Sequence, residues 1–209
     1  MITKEMTKSE IEREISKWGD YVQIDNLTRF LKVTLHIPID IKKFVHQKLA
    51  EVYERRRMFL EAAKNYEKII ELCTSSSEKR KICFKTVETY INSGNFEKAE
   101  TLAKRMIEEG GKMEKMEVTN YLKEAYTKEI DRATKEKRRS NVIRIYERML
   151  DMGIYSEAEK IAIKEKLMAL YLTLGMIREY NQVRDRGFKK IERMPEREEP
   201  VEGLEFLYK

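Results

Sequence analysis

Residues that break helices are scarce in this sequence. Among 209 residues there are only 8 glycines and 3 prolines, and two of the prolines, Pro195 and Pro200, lie near the C-terminal end. Sandwiches, barrels and doubly wound sheets need many turns, in which glycine and proline are the usual residues. Their scarcity argues against all three classes. Glu, Lys, Arg, Leu, Met and Ala, which favour helices, are abundant, so we predict an all-α protein.

Long apolar stretches are also missing. No run approaches the roughly 18 apolar residues of a membrane span, and residues 1–14 lack the apolar region of a signal peptide. The two cysteines, Cys73 and Cys83, do not form a CxxC pair. Two reduced thiols are therefore expected rather than a disulfide or a metal pair. These features predict a cytoplasmic protein with no membrane partner.

Sequence motifs of common enzymes are absent as well. The chain contains no phosphate-binding loop, dinucleotide-binding glycine motif, zinc-protease motif or nucleophile elbow. Its two histidines, His36 and His46, match no common metal-ligand spacing. Carboxylates alternate with cations at helical spacing, as in Glu100 and Lys104, which is typical of ion pairs on a helix face. We predict no catalytic, cofactor-binding or metal-binding residue, and a protein that works by binding.

A pattern with a spacing of 37 residues occurs twice. Tyr53 is followed nine residues later by Ala62, and Tyr90 is followed nine residues later by Ala99. Each tyrosine lies at the end of an amphipathic stretch or one residue before it, FVHQKLAEVY in the first copy and ICFKTVETYI in the second. Each alanine lies early in the next stretch, beyond a polar turn. The pattern indicates pairs of helices that repeat with one register.

Two looser copies follow. In the third copy Leu122 and Tyr126 align with Leu49 and Tyr53, although the helix is predicted to continue to about Lys137. The fourth copy comprises residues 161–174 and 177–188, and Gly175 lies at the predicted turn. Because one such pair cannot bury its apolar face alone, neighbouring pairs are expected to stack and share a core.

The repeated residues resemble the tetratricopeptide repeat (TPR). The large and small packing positions of that family are matched by Leu49, Ala50, Tyr53, Ala62, Tyr66, Tyr90, Gly94, Phe96 and Ala99. The spacing is longer than the usual length of about 34 residues, the closing proline is missing, and Lys135 stands where the third copy should have alanine. The resemblance covers about residues 40–190. It implies a right-handed α-solenoid of antiparallel helical hairpins that binds proteins or peptides and does not catalyse.

Three regions follow from this assignment. Residues 1–39 form an N-terminal helical segment for capping the repeats or for dimerisation, and residues 40–193 form the TPR-like repeats. Residues 194–209 form a short, flexible, acidic tail that ends in apolar residues. The tail is expected either to fold back as a cap or to dock on another copy or a partner.

The positive charge is distributed unevenly. The formal net charge is +6. Residues 194–209 contain five glutamates and two cations, a net charge of −3, so the rest of the chain carries +9. A basic body fits a nucleic-acid or ribonucleoprotein partner. It fits equally well the highly charged surface of a thermophile protein, in which Asn and Gln are scarce.

The cations concentrate at predicted turns and helix starts. The clusters are Arg55, Arg56 and Arg57; Lys79, Arg80 and Lys81; and Lys135, Lys137, Arg138 and Arg139, continued by Arg144 and Arg148. Aligned along one edge of a solenoid, they would contact phosphates. The alternative is a set of solvated turns. Since aromatic residues are not interleaved with the clusters, any nucleic-acid contact is expected to be with the backbone.

These features favour a scaffold or adaptor whose partner is a large nucleoprotein such as the ribosome. The contact would be with a ribosomal protein or the rRNA backbone, and the role would be in assembly, hibernation or dimerisation. The alternative is a TPR-type adaptor that binds a peptide or protein segment on its concave face, where Lys48, Asn65 and Lys85 are the candidate residues. Homodimerisation is compatible with both hypotheses. It would use exposed apolar residues of the N-terminal helices and the tail, namely Trp18, Phe30, Phe206, Leu207 and Tyr208.

Overall fold

The computed structural model describes residues 2–3 and 5–185, and this part of the chain contains ten α-helices and no β-strand. The prediction of an all-α protein is confirmed. In chain order the helices are α1 (Lys8–Ile15), α2 (Asp20–Val33), α3 (Ile39–Arg55), α4 (Phe59–Leu72), α5 (Ser76–Asn92), α6 (Phe96–Glu109), α7 (Lys112–Lys135), α8 (Arg139–Asp151), α9 (Glu157–Thr173) and α10 (Ile177–Asp185).

The chain divides into two compact units, residues 1–145 and residues 146–209. In the first unit each helix from α2 to α6 packs on the next one, and α5 also packs on α7. In the second unit α9 packs on α10. Consecutive packing of this kind is compatible with a helical repeat. No described helix is long and apolar enough to cross a membrane.

The N-terminal helices share one apolar core with α3. Ile11 of α1, Leu27 of α2 and Val45 of α3 are fully buried in this cluster. Phe30 belongs to it at 4% exposure, and Trp18 is half-buried against it. The prediction that Phe30 is exposed for dimerisation is therefore wrong, because its side chain is already packed in this core. Phe206, Leu207 and Tyr208 lie outside the described residues.

Four turns between helices have the same backbone conformation. Arg57, Gly94, Lys137 and Gly175 each have a positive φ, between 57° and 75°. In each turn the amide of the following residue donates a hydrogen bond to the carbonyl five residues earlier. The bonds are Met58 to Tyr53 (2.8 Å), Asn95 to Tyr90 (3.0 Å), Arg138 to Ala133 (2.8 Å) and Met176 to Tyr171 (2.9 Å). This is the Schellman arrangement, in which a left-handed residue ends a helix.

These turns correct the register of the third copy. Ala133 takes the place that Tyr53 and Tyr90 have in the first two copies. The sequence comparison assigned that place to Tyr126, seven residues earlier. The helix α7 has 24 residues, whereas α3 and α5 have 17 each. Seven residues make nearly two helical turns, about 10 Å. Tyr126 is therefore buried on the same face of α7 as Ala133, but two turns closer to the N-terminus of the helix.

The same correction applies to the small residue of the repeat. In the first two copies Ala62 and Ala99 follow the positive-φ residue by five positions, and both are 0% exposed. Counted from Lys137, that position is Val142, which is 6% exposed. The sequence comparison placed it at Lys135, which is exposed at the end of α7. The third copy thus contains a buried β-branched residue where the first two contain alanine.

Candidate binding surface at the helix turns

A groove of about 490 Å³ opens beside three of the turns, those between α3 and α4, α5 and α6, and α7 and α8. Its volume falls in the range of small-ligand sites. We call it the turn groove. It lies entirely in the first unit and is lined by Arg57, Met58, Phe59, Leu60, Glu61, Asn92, Ser93, Arg132, Glu136 and Arg138.

Arg132 of α7 joins three helices at this groove. Its Nη2 donates a hydrogen bond to the backbone carbonyl oxygen of Asn92 at the end of α5, over 3.1 Å. Its guanidinium carbon lies 4.8 Å from the centre of the Phe59 ring at the start of α4, a cation–π contact. The side chain is 28% exposed, so much of the guanidinium is fixed inside the protein.

A buried carboxylate holds this arginine and its neighbour in the next turn. Glu129 is 1% exposed. Its Oε2 lies 2.6 Å from Arg132 Nη2, and its Oε1 accepts hydrogen bonds from Arg138 Nη2 (3.3 Å) and Asn141 Nδ2 (3.1 Å). Burial raises the pKa of Glu129, while the two guanidiniums act in the opposite direction. Its partners come from α7, from the turn after it and from α8, so the carboxylate connects these segments.

This acidic residue is specific to the third copy. The position eight residues before the positive-φ residue is occupied by Leu49, Thr86, Glu129 and Leu167 in the four copies. All four residues are at most 2% exposed. Three copies therefore build the same turn without a carboxylate. The distinguishing contacts of Glu129 are those with Arg132 and Arg138, both of which line the turn groove.

An ion pair connects two turns that are far apart in sequence. Arg57 Nη1 donates to Glu136 Oε1 over 2.9 Å, and Arg138 Nε lies 2.8 Å from Glu136 Oε2. Although desolvation favours the neutral acid, the Arg138 and Arg57 guanidiniums hold the pKa of Glu136 below its ordinary value. Two of the basic clusters predicted from the sequence, Arg55–Arg57 and Lys135–Arg139, thus meet at the turn groove.

Three cations beside this groove have no acidic partner in the described part of the chain. Lys135, Lys137 and Arg139 are exposed, and none of them forms an ion pair with any residue that the structure describes. They alternate along the turn with Glu136 and Arg138, which line the groove. One turn therefore provides both a wall of the groove and three unneutralised positive charges.

Other cations of the two clusters are held by neighbours. Arg55 donates to Asp20 over 2.9 Å and to Gln23 over 3.2 Å. Arg56 lies over the ring of Tyr21, 4.4 Å from its centre, and donates to the hydroxyl of the same residue. These contacts attach the α3–α4 turn to the start of α2.

The remaining predicted cations lie elsewhere. The guanidinium carbon of Arg144 in α8 lies 5.7 Å from the centre of the Phe96 ring. Arg148 belongs to the second unit. The cluster Lys79–Lys81 lies in the first turns of α5, about 20 Å along the helix from Asn92. The structure therefore does not bring that cluster to the turn groove.

The Lys79–Lys81 cluster borders a second cavity, of about 260 Å³. Nζ of Lys79 lies 3.4 Å from Oε2 of Glu109. Arg80 pairs with Glu114 and lies 3.8 Å from Glu117, whereas Lys81 is exposed. Most of the charge at this cavity is thus neutralised within the chain.

The three residues suggested for gripping a peptide all have partners inside the protein. Lys48 pairs with Glu12 at 2.6 Å, and Lys85 pairs with Glu54 at 3.0 Å. Asn65 Oδ1 lies 2.9 Å from Nδ1 of His46, whose pKa is lowered by burial even though this contact acts in the opposite direction. A peptide carboxylate would have to displace the existing acids from both lysines.

Sequence reasoning missed the residues that line the groove between the clusters. Phe59 follows the Arg55–Arg57 run by two positions, so an aromatic ring does accompany a basic cluster. Glu129 and Arg132 are spaced i, i+3, which identifies an ion pair but not its burial. Asn92 carries no such signal. Among the described residues no group of three or more His, Cys, Asp or Glu could hold a metal ion.

No model of a known protein family matches the sequence, and no curated protein matches it either. A proposal on function must therefore start from the turn groove and the cations beside it.

Proposed function

We propose that this chain is a non-enzymatic interaction protein that binds the RNA of a large nucleoprotein, such as the ribosome. The contact surface is the turn groove together with Lys135, Lys137 and Arg139, which we call the turn surface. The observation that carries the proposal is the presence, in one turn, of three exposed cations that form no ion pair with any described residue.

The proposal includes the way the helices are arranged. We propose a right-handed, TPR-like solenoid of antiparallel hairpins. It is supported by the common conformation of the four turns, whose positive-φ residues are spaced by 37, 43 and 38 positions. Packing of α5 on both α6 and α7 also supports it. In such a solenoid equivalent turns lie along one edge, and the Arg57–Glu136 pair fits this arrangement.

The distribution of charge favours phosphates as the ligand. The two carboxylates of Glu136 and Glu129 offset two of the three charges of Arg57, Arg132 and Arg138, so most of the net attraction comes from Lys135, Lys137 and Arg139. Three phosphate contacts on single-stranded RNA give a slope of log affinity against log salt of roughly −2, at about 0.7 per contact. Between about 50 and 200 mM salt this corresponds to a loss of roughly 20-fold in affinity.

The alternative function, an adaptor that grips a peptide carboxylate on its inner helices, has less support. Its candidate lysines Lys48 and Lys85 are already paired with glutamates. A homodimer is likewise not supported by the N-terminal helices, because Phe30 is buried.

Alanine substitution of the three free cations tests the proposal. The turn variant is Lys135→Ala/Lys137→Ala/Arg139→Ala. The control variant, Lys81→Ala/Lys112→Ala/Lys115→Ala, removes the same charge from exposed positions away from the groove. Binding of a labelled single-stranded RNA is measured by fluorescence anisotropy over a series of salt concentrations.

We expect the turn variant to lose about tenfold or more in affinity at low salt and most of its salt dependence. The control variant should change by no more than about twofold, and circular dichroism should show the same helical content for all three proteins. Equal losses in the two variants, or no binding by the wild-type chain, would contradict the proposal.

A further inference from the structure

We propose that the turn groove holds one unstacked nucleobase of the bound RNA, so that the protein prefers a bulged or single-stranded nucleotide to a continuous duplex. This inference rests on the proposed function and specifies the kind of RNA that the turn surface recognises.

The first argument is a fixed stacking surface. The guanidinium of Arg132 lies over the Phe59 ring, 4.8 Å from its centre. Its Nη2 is held by Glu129 Oε2 at 2.6 Å and by the carbonyl oxygen of Asn92 at 3.1 Å. Unstacked bases are commonly bound on aromatic rings or on guanidinium planes. Here both groups line one groove and are already in position before any ligand arrives.

The second argument is unused hydrogen-bonding capacity. Nε of Arg132 is a buried donor with no acceptor among the described residues. The side-chain amide of Asn92, which can donate and accept, also has no hydrogen-bond partner in the described part of the chain. Buried donors are normally paired, so Arg132 Nε lacks a partner that the polar edge of a base would supply. The Asn92 amide lines the same groove and can form a second hydrogen bond with that edge.

The third argument is the alternation of residues in the turn between α7 and α8. Glu136 and Arg138 line the groove, whereas Lys135, Lys137 and Arg139 are exposed and unpaired among the described residues. A base in the groove therefore has cations close by for the phosphates on either side of it. The groove and the cations beside it are thus complementary to a nucleotide, in which a neutral, flat base is attached to an anionic backbone.

The same charges argue against an acidic peptide in the groove. A carboxylate placed there would meet guanidiniums that are already paired with Glu129 and Glu136, and it would lie near Glu61. A neutral base suffers no such repulsion. An acidic peptide is nevertheless the main competing occupant, so the experiment includes one.

The test compares three RNAs with the same paired stem: a perfect duplex, a duplex with one bulged adenosine, and the same bulged duplex with an abasic site at the bulge. The two bulged RNAs have equal length and charge. Salt is held constant and affinity is measured by fluorescence anisotropy. We expect the wild-type chain to bind the bulged adenosine about tenfold more tightly than either of the other RNAs. A labelled glutamate-rich peptide serves as the fourth probe, and no binding to it is expected.

Two groove variants and a matched control complete the experiment. Asn92→Ala removes the amide, and Phe59→Ala removes the ring. Asn120→Ala, at an exposed position of α7, is the control. We expect both groove variants to lose at least fivefold of the preference for the bulge over the perfect duplex, whereas Asn120→Ala keeps the wild-type preference. Asn92→Ala decides the matter if Phe59→Ala does not fold.

The possible failures are distinguishable. Salt-dependent binding with equal affinity for all three RNAs overturns the base-binding inference and leaves the proposed function standing. Peptide binding that is lost in the groove variants identifies a peptide as the occupant and also overturns the inference. Failure to bind any RNA overturns both proposals.

Discussion

At the residue scale, two cations occupy backbone positions that favour glycine. Arg57 and Lys137 have φ values of 58° and 57°, where the equivalent turns have Gly94 and Gly175. A side chain in this left-handed region costs about 1–2 kcal/mol, because its Cβ approaches the following carbonyl oxygen. Both strained cations belong to the turn surface. Retention of a strained residue at such a place is typical of functional sites.

We therefore predict that Lys137→Gly stabilises the protein. The gain should be about 0.5–1 kcal/mol in the free energy of unfolding, since relief of the strain exceeds the extra entropy of glycine in the unfolded chain. Urea unfolding followed by circular dichroism measures it. Lys137→Ala removes the same charge but keeps Cβ, and should give no gain. Equal stability of the two variants would show that the positive φ carries no strain.

At the element scale, the turn between α7 and α8 depends on a buried charge network. Glu129 forms an ion pair with Arg132 and accepts hydrogen bonds from Arg138 and Asn141, and replacing it leaves two guanidiniums without their buried partner. Both arginines remain partly exposed, so water compensates for some of the loss. The network is thus expected to contribute less than a fully buried ion pair.

We predict that Glu129→Gln destabilises the protein by about 1–3 kcal/mol at pH 7, because the amide cannot replace the charge that both guanidiniums face. The control is Glu124→Gln on the same helix, whose exposed i, i+4 pair with Lys128 should be worth less than about 0.5 kcal/mol. Chemical unfolding of both variants gives the comparison. If Glu129→Gln is as stable as the wild type, the buried carboxylate is protonated in the folded protein and the charge network is not needed.

Prediction from the sequence succeeded at this scale wherever the chemistry is local. The turns at Gly94 and Gly175 could be located because glycine marks a left-handed residue. The equivalent turns at Arg57 and Lys137 carry no such mark, since their conformation is imposed by the packing of the helices on either side. The helical stretches themselves are evident from the spacing of apolar residues.

Predictions from the sequence were wrong or incomplete where the apolar pattern repeats along a helix, or where the structure depends on contacts between distant residues. Tyr126 and Ala133 lie seven residues apart on the same face of α7, so a comparison based on that face cannot separate them. The burial of Phe30 depends on which helix covers α2, and the groove depends on turns brought together from positions 57 and 136. Amphipathic periodicity gives the direction of an apolar face but not its partner.

At the scale of the whole molecule, the net charge understates the charge available for binding. Ion pairs inside the chain neutralise many of its cations, as the Lys48–Glu12 and Lys85–Glu54 pairs illustrate. The turn surface differs because three adjacent cations have no acidic partner among the described residues. Association with a polyanion should therefore depend on this one surface more than on the total charge of +6.

This concentration of charge predicts how the protein behaves in a cell lysate. On a sucrose gradient at low salt the wild-type chain should travel with ribosomal particles, and at high salt it should remain at the top, because each phosphate contact releases counterions. The turn variant Lys135→Ala/Lys137→Ala/Arg139→Ala should remain at the top under both conditions. The control variant Lys81→Ala/Lys112→Ala/Lys115→Ala, with the same net charge, should behave as the wild type does.

If the two variants behave alike, the association reflects total charge alone. If the wild-type chain stays at the top at low salt but binds RNA oligonucleotides, its partner is an RNA outside the ribosome.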